Sequence, residues 1–203
     1  MPHPDPPRLI LASASAARLA LLRGAGLAVE AQPAHIDEAE IKAAARADRA
    51  SPEDAALLLA ELKAARIARR APDALVIAAD QLLVVGEEWF DKPPTPDAAR
   101  EQLLALRGRT HMLVTAVLCQ RGAARIWHHV ARPSLTMRDF SDAFLDTYLA
   151  AESDALTGCV GAYRLEGMGV QLFDRIEGDY FSILGLPLLP LLGFLRQHGA
   201  LQA

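Results

Sequence analysis

Leu75-Val-Ile-Ala-Ala79 and Leu82-Leu-Val-Val85 are apolar runs separated only by Asp80-Gln81. Short continuous aliphatic runs are the pattern of strands covered on both faces. The chain is therefore expected to build a sheet with helices against it. The same pattern makes Asp80 conspicuous, because an unpaired carboxylate between two buried strands costs several kcal/mol. A metal, a cation or its own protonation can relieve that cost, so Asp80 is a candidate general base or metal ligand. The alternative is an aspartate at a strand end making a turn hydrogen bond.

With 203 residues the chain is sized for one domain, or one domain with two lobes. A chain of this length buries about 70% of its unfolded surface, and 52% hydrophobic residues argue against disorder. The 21 Lys and Arg against 25 Asp and Glu give a net charge of −4, and there is no basic block. That excludes a general binder of nucleic-acid polymers while leaving room for a pocket that takes one anion. Cys119 and Cys159 lie far apart with no CxxC pair, which excludes a zinc site or disulfide scaffold. Residues 1–7 are proline-rich, lack the apolar stretch of a secretory signal and are expected to be a disordered tail before one domain over residues 8–203. The charge-free stretch between Asp179 and Arg196 is shorter than the ~20 residues of a membrane helix, and Pro187 and Pro190 interrupt it. A soluble cytoplasmic protein without a membrane partner is expected.

Leu9-Ile10-Leu11 reads as a strand, Ala12 to Ser15 as a tight loop, and Arg18 to Gly24 as a helix capped by Ser15. Leu27 to Glu30 reads as a second strand and His35 to Glu40 as a polar, acidic connection. Between Pro52 and Arg70, Leu58, Leu59, Leu62 and Ile67 mark an amphipathic helix opened by Ser51. Gly86-Glu87 turns the chain toward Trp89-Phe90. Thr95-Pro96-Asp97 supplies N-cap, N1 proline and first-turn acid for a helix that stops near Gly108. His111 to Cys119 and Arg125 to Val130 form a long hairpin. Ser141 opens another helix, a glycine-punctuated segment runs from Gly158 to Gly185, and Leu186 to His198 is an apolar helix. The expected class is α/β, a long twisted mixed sheet with flanking helices, in two lobes around a cleft.

Ser13-Ala14-Ser15-Ala16-Ala17-Arg18 is the strongest local signal for a ligand. A loop that opens a helix points its first free N–H groups outward, with a partial positive charge behind them. This helix has no acid in its first turn and carries the cation Arg18 instead. A phosphate would supply the missing negative charge; a capped helix with a solvated arginine is the plainer alternative. Lys92-Pro93 puts a cation on a rigid extended segment. Lys63 follows the core position Leu62 at the edge of an apolar face. Taken alone, each lysine reads more readily as a solvated surface residue. Asp37-Glu38, near His35 and Glu40, are oxygen donors suited to a hard divalent cation, or simply a solvated acidic loop.

Other chemistries find no support. There is no GxSxG elbow, no Walker-type loop and no HExxH helix. Gly167-Met-Gly169 is half of a dinucleotide fingerprint, His128-His129 point to opposite faces of a strand, and His111 begins a strand and reads as structural.

Taken in order, these pieces resemble the Maf family of nucleoside triphosphate pyrophosphatases over roughly residues 8–199. The resemblance runs through Leu9-Ile-Leu-Ala-Ser-Ala-Ser15, Gly26-Leu, Ile36-Asp-Glu38, Leu59-Ala-Glu-Leu-Lys63-Ala and Ala79-Asp80-Gln81. It continues through Lys92-Pro93, Leu106-Arg-Gly-Arg-Thr-His111, Gly161-Ala-Tyr-Arg-Leu-Glu-Gly167, Ile176-Glu-Gly178 and Gly185-Leu-Pro187. It implies a Maf/ITPase-like fold and a hydrolase acting on an acid anhydride. Such an enzyme splits nucleoside triphosphates between the α- and β-phosphates with a divalent cation, Mg, Mn or Co. By resemblance Asp80 is the proton acceptor, and Ser13, Ser15, Arg18, Lys63 and Lys92 surround the phosphates. Glu38, with Asp80, is implied near the metal.

Cys159 stands in place of the lysine frequent in the family, and three further positions depart from its common pattern. Ala17 stands in place of an arginine, Gln81 in place of a threonine, and Glu166 in place of a glutamine. They resemble the family's base-selectivity set. Gln81 and Glu166 are similar to the branch acting on 7-methyl-GTP rather than dTTP and UTP, although that branch carries an aromatic where this chain has Ala17. The resemblance also implies a house-cleaning role in nucleotide metabolism and a homodimer. A nucleotide-binding regulator of septum formation, without catalysis, is the competing expectation.

Overall fold

The computed structural model describes residues 7–152 and 156–202; apart from Pro7, the expected disordered tail lies outside the described residues. Among the described residues eight strands are present: β1 (Leu9–Leu11), β2 (Val29–Ala31), β3 (Leu75–Val85), β4 (Glu88–Phe90), β5 (Thr110–Arg121), β6 (Ala124–Ala131), β7 (Ser134–Met137) and β8 (Phe173–Glu177). They form a mixed sheet in the order β2-β1-β3-β5-β7-β8, with β4 on β3 and β6 on β5. Strand β1 is parallel to β2 and β3, and the pairs formed by β4, β6 and β8 are antiparallel. The helices are α1 (Ala16–Gly24), α2 (Glu38–Ala47), α3 (Pro52–Ala68), α4 (Pro96–Leu106), α5 (Asp142–Glu152), α6 (Tyr180–Ile183) and α7 (Leu188–Gln197). The α/β class with a mixed sheet and flanking helices is thus the one observed. Among the described residues no helix is long and apolar enough to cross a membrane.

The chain divides into two compact units. The first comprises the residues up to Asp80, Thr115–Ala131 and the chain from Tyr180 onward; the second comprises Gln81–Val114 and Arg132–Asp179. In the first unit, strand alternation sorts side chains into two cores. Leu9, Leu11, Leu75, Ile77 and Val117 pack toward α1 and α7, with Leu22, Leu191 and Leu195. Ile10, Val76, Ala78 and Leu118 pack toward α3, with Ala60, Ala64 and Ile67. In the second unit α4 and α5 bury Leu103, Leu106, Leu145 and Tyr148.

Several local expectations are met at single caps. Ser15 accepts from the Arg18 N–H at 3.3 Å, Ser51 from Asp54 at 3.1 Å, and Thr95 from Ala98 at 3.1 Å, each satisfying a donor that a helix start leaves free. Others change. The two apolar runs around Asp80 are one strand, β3, so Asp80 lies in mid-strand rather than at an end. The acidic connection at 35–40 is a helix start: Asp37 caps α2 by accepting from Glu40 N–H at 3.0 Å, and Glu38 is the first residue of that helix. Carboxylates there meet the positive end of the helix dipole. On α3 the buried stripe is mostly alanine, so Leu62 is 37% exposed while Lys63 is 6% exposed. Alanines let the helix approach the sheet closely, which turns the larger leucines at 58 and 62 outward.

Candidate active site

In the first unit the register of β3 decides where Asp80 points. Val76 and Ala78 face α3, and Asp80 continues that series by alternation. Helix α3 sets Lys63 beside Ala60 and Ala64 on its buried side. The Lys63 ammonium donates to Asp80 Oδ1 and lies 2.7 Å from Glu38 Oε1 at the start of α2. Asp80 is 4% exposed. Of the three ways to relieve a buried carboxylate, this structure uses the cation. Both ions surrender hydration, which the pair recovers only through close contact and further hydrogen bonds.

Arg18 forms the second half of the cluster. Its Nε donates to Gly185 O at 2.8 Å, and its Nη1 donates to Ala79 O at 2.8 Å and Ser13 Oγ at 3.3 Å. The guanidinium is thus tied to the carbonyl just before Asp80 and is no freely solvated arginine. Burial lowers its pKa, and the negative charges of Asp80 and Glu38 oppose that shift. Gly185 has φ 94°, and a Cβ there would stand 3.3 Å from Arg18 Nε; glycine alone gives this carbonyl without strain. Ser13 Oγ also accepts from Ser15 N–H at 3.2 Å. Accepting leaves each serine hydroxyl its own proton to donate. Ser13, Ser15, Arg18, Lys63, Asp80 and Glu38 are therefore gathered in one unit, with Ala17 half-buried on α1.

The remaining residues belong to the second unit. Gln81 follows Asp80 on β3, so their side chains leave the strand on opposite faces. Lys92 is exposed beyond β4, and Glu166 stands in the 163–169 segment. Both act on the Cys159 thiol, which burial pushes up first; Glu166 adds to that rise, while Lys92 and Arg164 oppose it. Cys119 and Cys159 are both free thiols. His111 is structural as expected: it is 2% exposed, its Nε2 lies 2.8 Å from Tyr163 OH, and burial lowers its pKa to about 4.

Sequence reasoning misses three partners. Glu38 bonds Lys63 from the start of a helix that carries no leucine stripe to announce it. Arg164 reaches both Glu166 and Glu152, and the Arg-x-Glu spacing in Arg164-Leu-Glu166 is the signal for Arg164.

Such a cluster can hold an anion and take up a proton. Comparison with known proteins supplies the lineage: the Maf-like protein family model matches residues 8–198, and the chain belongs to the Maf family. It is 60% identical over 194 residues, 96% of this chain and 98% of the relative, to a Granulibacter bethesdensis protein named nucleoside triphosphate pyrophosphatase. A Rhodospirillum rubrum protein of the same name is 52% identical over 195 residues, 96% of each chain. A Rhizobium meliloti protein named 7-methyl-GTP pyrophosphatase is 50% identical over 197 residues, 97% of this chain and 99% of the relative.

Proposed function

We propose that this chain is a nucleoside triphosphate pyrophosphatase that hydrolyses the α–β anhydride to a monophosphate and pyrophosphate. The observation that carries the reading is the buried Asp80–Lys63 pair with Arg18 tied to the adjoining carbonyl; the names of the relatives agree with it. Asp80 is the proton acceptor for the attacking water. Lys63 orients the carboxylate through Oδ1 and leaves Oδ2 to take the proton. Arg18, the Ser13 and Ser15 hydroxyls, Lys63 and Lys92 offset the charge that grows on the phosphates as the anhydride bond breaks.

Glu38 and Asp80 converge on one ammonium. Two carboxylates fit Mg, Mn or Co, hard cations that complete their shells with phosphate oxygens and water. Among the described residues no group of three His, Cys, Asp or Glu side chains offers an all-protein cage. When bound, such a cation neutralises phosphate charge and orients water.

For the base, the reading places 7-methyl-GTP ahead of dTTP and UTP, supported by Gln81, Glu166 and the Rhizobium relative. A carboxylate at 166 can accept from the guanine N1–H and 2-amino group together, a pair that a pyrimidine does not offer. The family resemblance further supports a cytoplasmic homodimer clearing modified nucleotides.

A panel of triphosphates, each with Mg, Mn or Co and with pyrophosphate detection, tests the reading. The expected result is release of pyrophosphate, fastest from 7-methyl-GTP. Binding without hydrolysis by both wild type and Asp80→Asn would make the protein a nucleotide-binding regulator instead.

A further inference from the structure

Glu152 ends α5 with its side chain only 11% exposed. Its carboxylate is enclosed by the segment that carries Glu166. Oε1 accepts from the backbone N–H of Met168 at 2.9 Å, and Oε2 lies 3.5 Å from Arg164 Nη1. Arg164 also reaches Glu166, with Nε 3.8 Å from Oε1. One guanidinium is therefore shared between an enclosed carboxylate and a more open one.

The backbone is shaped to admit that enclosed acid. A Cβ at Gly167 would stand 3.2 Å from Glu152 Cδ, and a Cβ at Gly169 would stand 2.8 Å from Arg164 N. The glycines of Gly167-Met-Gly169 are thus places of close approach, not remnants of a dinucleotide fingerprint. The start of the segment is pinned as well: Tyr148 OH donates to Ala162 O at 3.0 Å, and Ala162 is held at φ 54°.

We propose that Glu152 is a positioning residue for Glu166, fixing the Met168 N–H and drawing Arg164 aside so that the Glu166 carboxylate is presented to the base. Without Glu152, Glu166 would be the carboxylate left beside Arg164 among the described residues, and Arg164 would occupy the oxygens that must accept from the base. The segment would also lose its tether at Met168. The proposal rests on reading Glu166 as the base-recognising residue.

The test compares kcat and KM for 7-methyl-GTP and UTP in wild type, Glu152→Ala, Glu152→Gln, Glu166→Ala and the double alanine variant. Glu152→Ala is expected to lower the guanine-over-uracil ratio of kcat/KM about tenfold, through KM, with UTP changed less than about twofold. Glu152→Gln keeps an acceptor for Met168 N–H but loses the charge that holds Arg164, and should fall between. Glu166→Ala should abolish the ratio, and adding Glu152→Ala to it should change nothing more. Gly167→Ala, which pushes on the same carboxylate, should repeat the effect in a chain that keeps Glu152, and it decides the matter if Glu152→Ala does not fold. If Glu166→Ala leaves the ratio intact, the base reading fails and the proposal falls with it. If Glu166→Ala lowers the ratio while the Glu152 and Gly167 variants leave it alone, or slow all nucleotides equally, the positioning role alone is overturned.

Discussion

Lys63 and Lys92 are the same side chain in opposite surroundings. The first sits on a helix, 6% exposed, clamped between two carboxylates. The second stands exposed beyond a short edge strand in the other unit. The surroundings differ in the same way. Asp80, Arg18 and Glu38 hang from a strand and two helix starts, whereas Glu166 stands on an irregular segment tethered through Glu152 and Arg164. In the first unit the buried charges sit on regular elements, where neighbours fix their direction. In the second unit Glu166 is held by a few local contacts on an irregular segment, so a substitution there leaves the sheet undisturbed.

The contrast can be broken by experiment. Asp80→Asn should lower kcat by about 10²–10⁴, the range for a positioned general base, with nucleotide binding retained in titration. Lys63→Ala leaves Asp80 buried without its partner and should cost about 3–5 kcal/mol of stability in urea unfolding. Lys92→Ala, by the same assay, should stay within about 0.5 kcal/mol; equal losses would erase the distinction between the two lysines. His111 gives the second unit its own signature. Its folded pKa of about 4 lies below the unfolded value of 6.5, so the unfolded chain binds more protons between those values. The stability this provides is fully present above pH 6.5 and is lost as pH falls toward 4, by up to about 3 kcal/mol. His111→Gln should flatten that slope. Arg18→Lys should lower kcat/KM about tenfold, because lysine lacks the planar fork that sets Nε on the Gly185 carbonyl and Nη1 on the Ala79 carbonyl.

Much of this was legible where a signal is local. Ser15, Ser51 and Thr95 announce their helices through cap chemistry, and Asp80 stands out because its neighbours are aliphatic. Parity along β3 already held the face on which Asp80 lies. What escaped reading depended on partners distant in sequence. The start of α2 offers no leucine stripe, only Ile41 among alanines and charges, so its N-cap aspartate passed for loop. Leu62 seemed a core position because leucine usually is, yet the alanines of α3 claim the sheet and carry Lys63 inward with them. Strands β7 and β8 pair with each other through Ser134↔Glu177 and Leu135↔Ile176, and neither is apolar enough to declare itself alone.

The bond from Arg18 to the Gly185 carbonyl spans 167 residues of chain. During synthesis the guanidinium emerges from the ribosome long before its acceptor exists, and domains fold as units only once their parts are present. A nascent or truncated product ending short of Gly185 would therefore carry every acid and base of the cluster without this acceptor or the α7 leucines that pack on β1 and β3, so that the cluster's geometry is licensed by completion of the polypeptide.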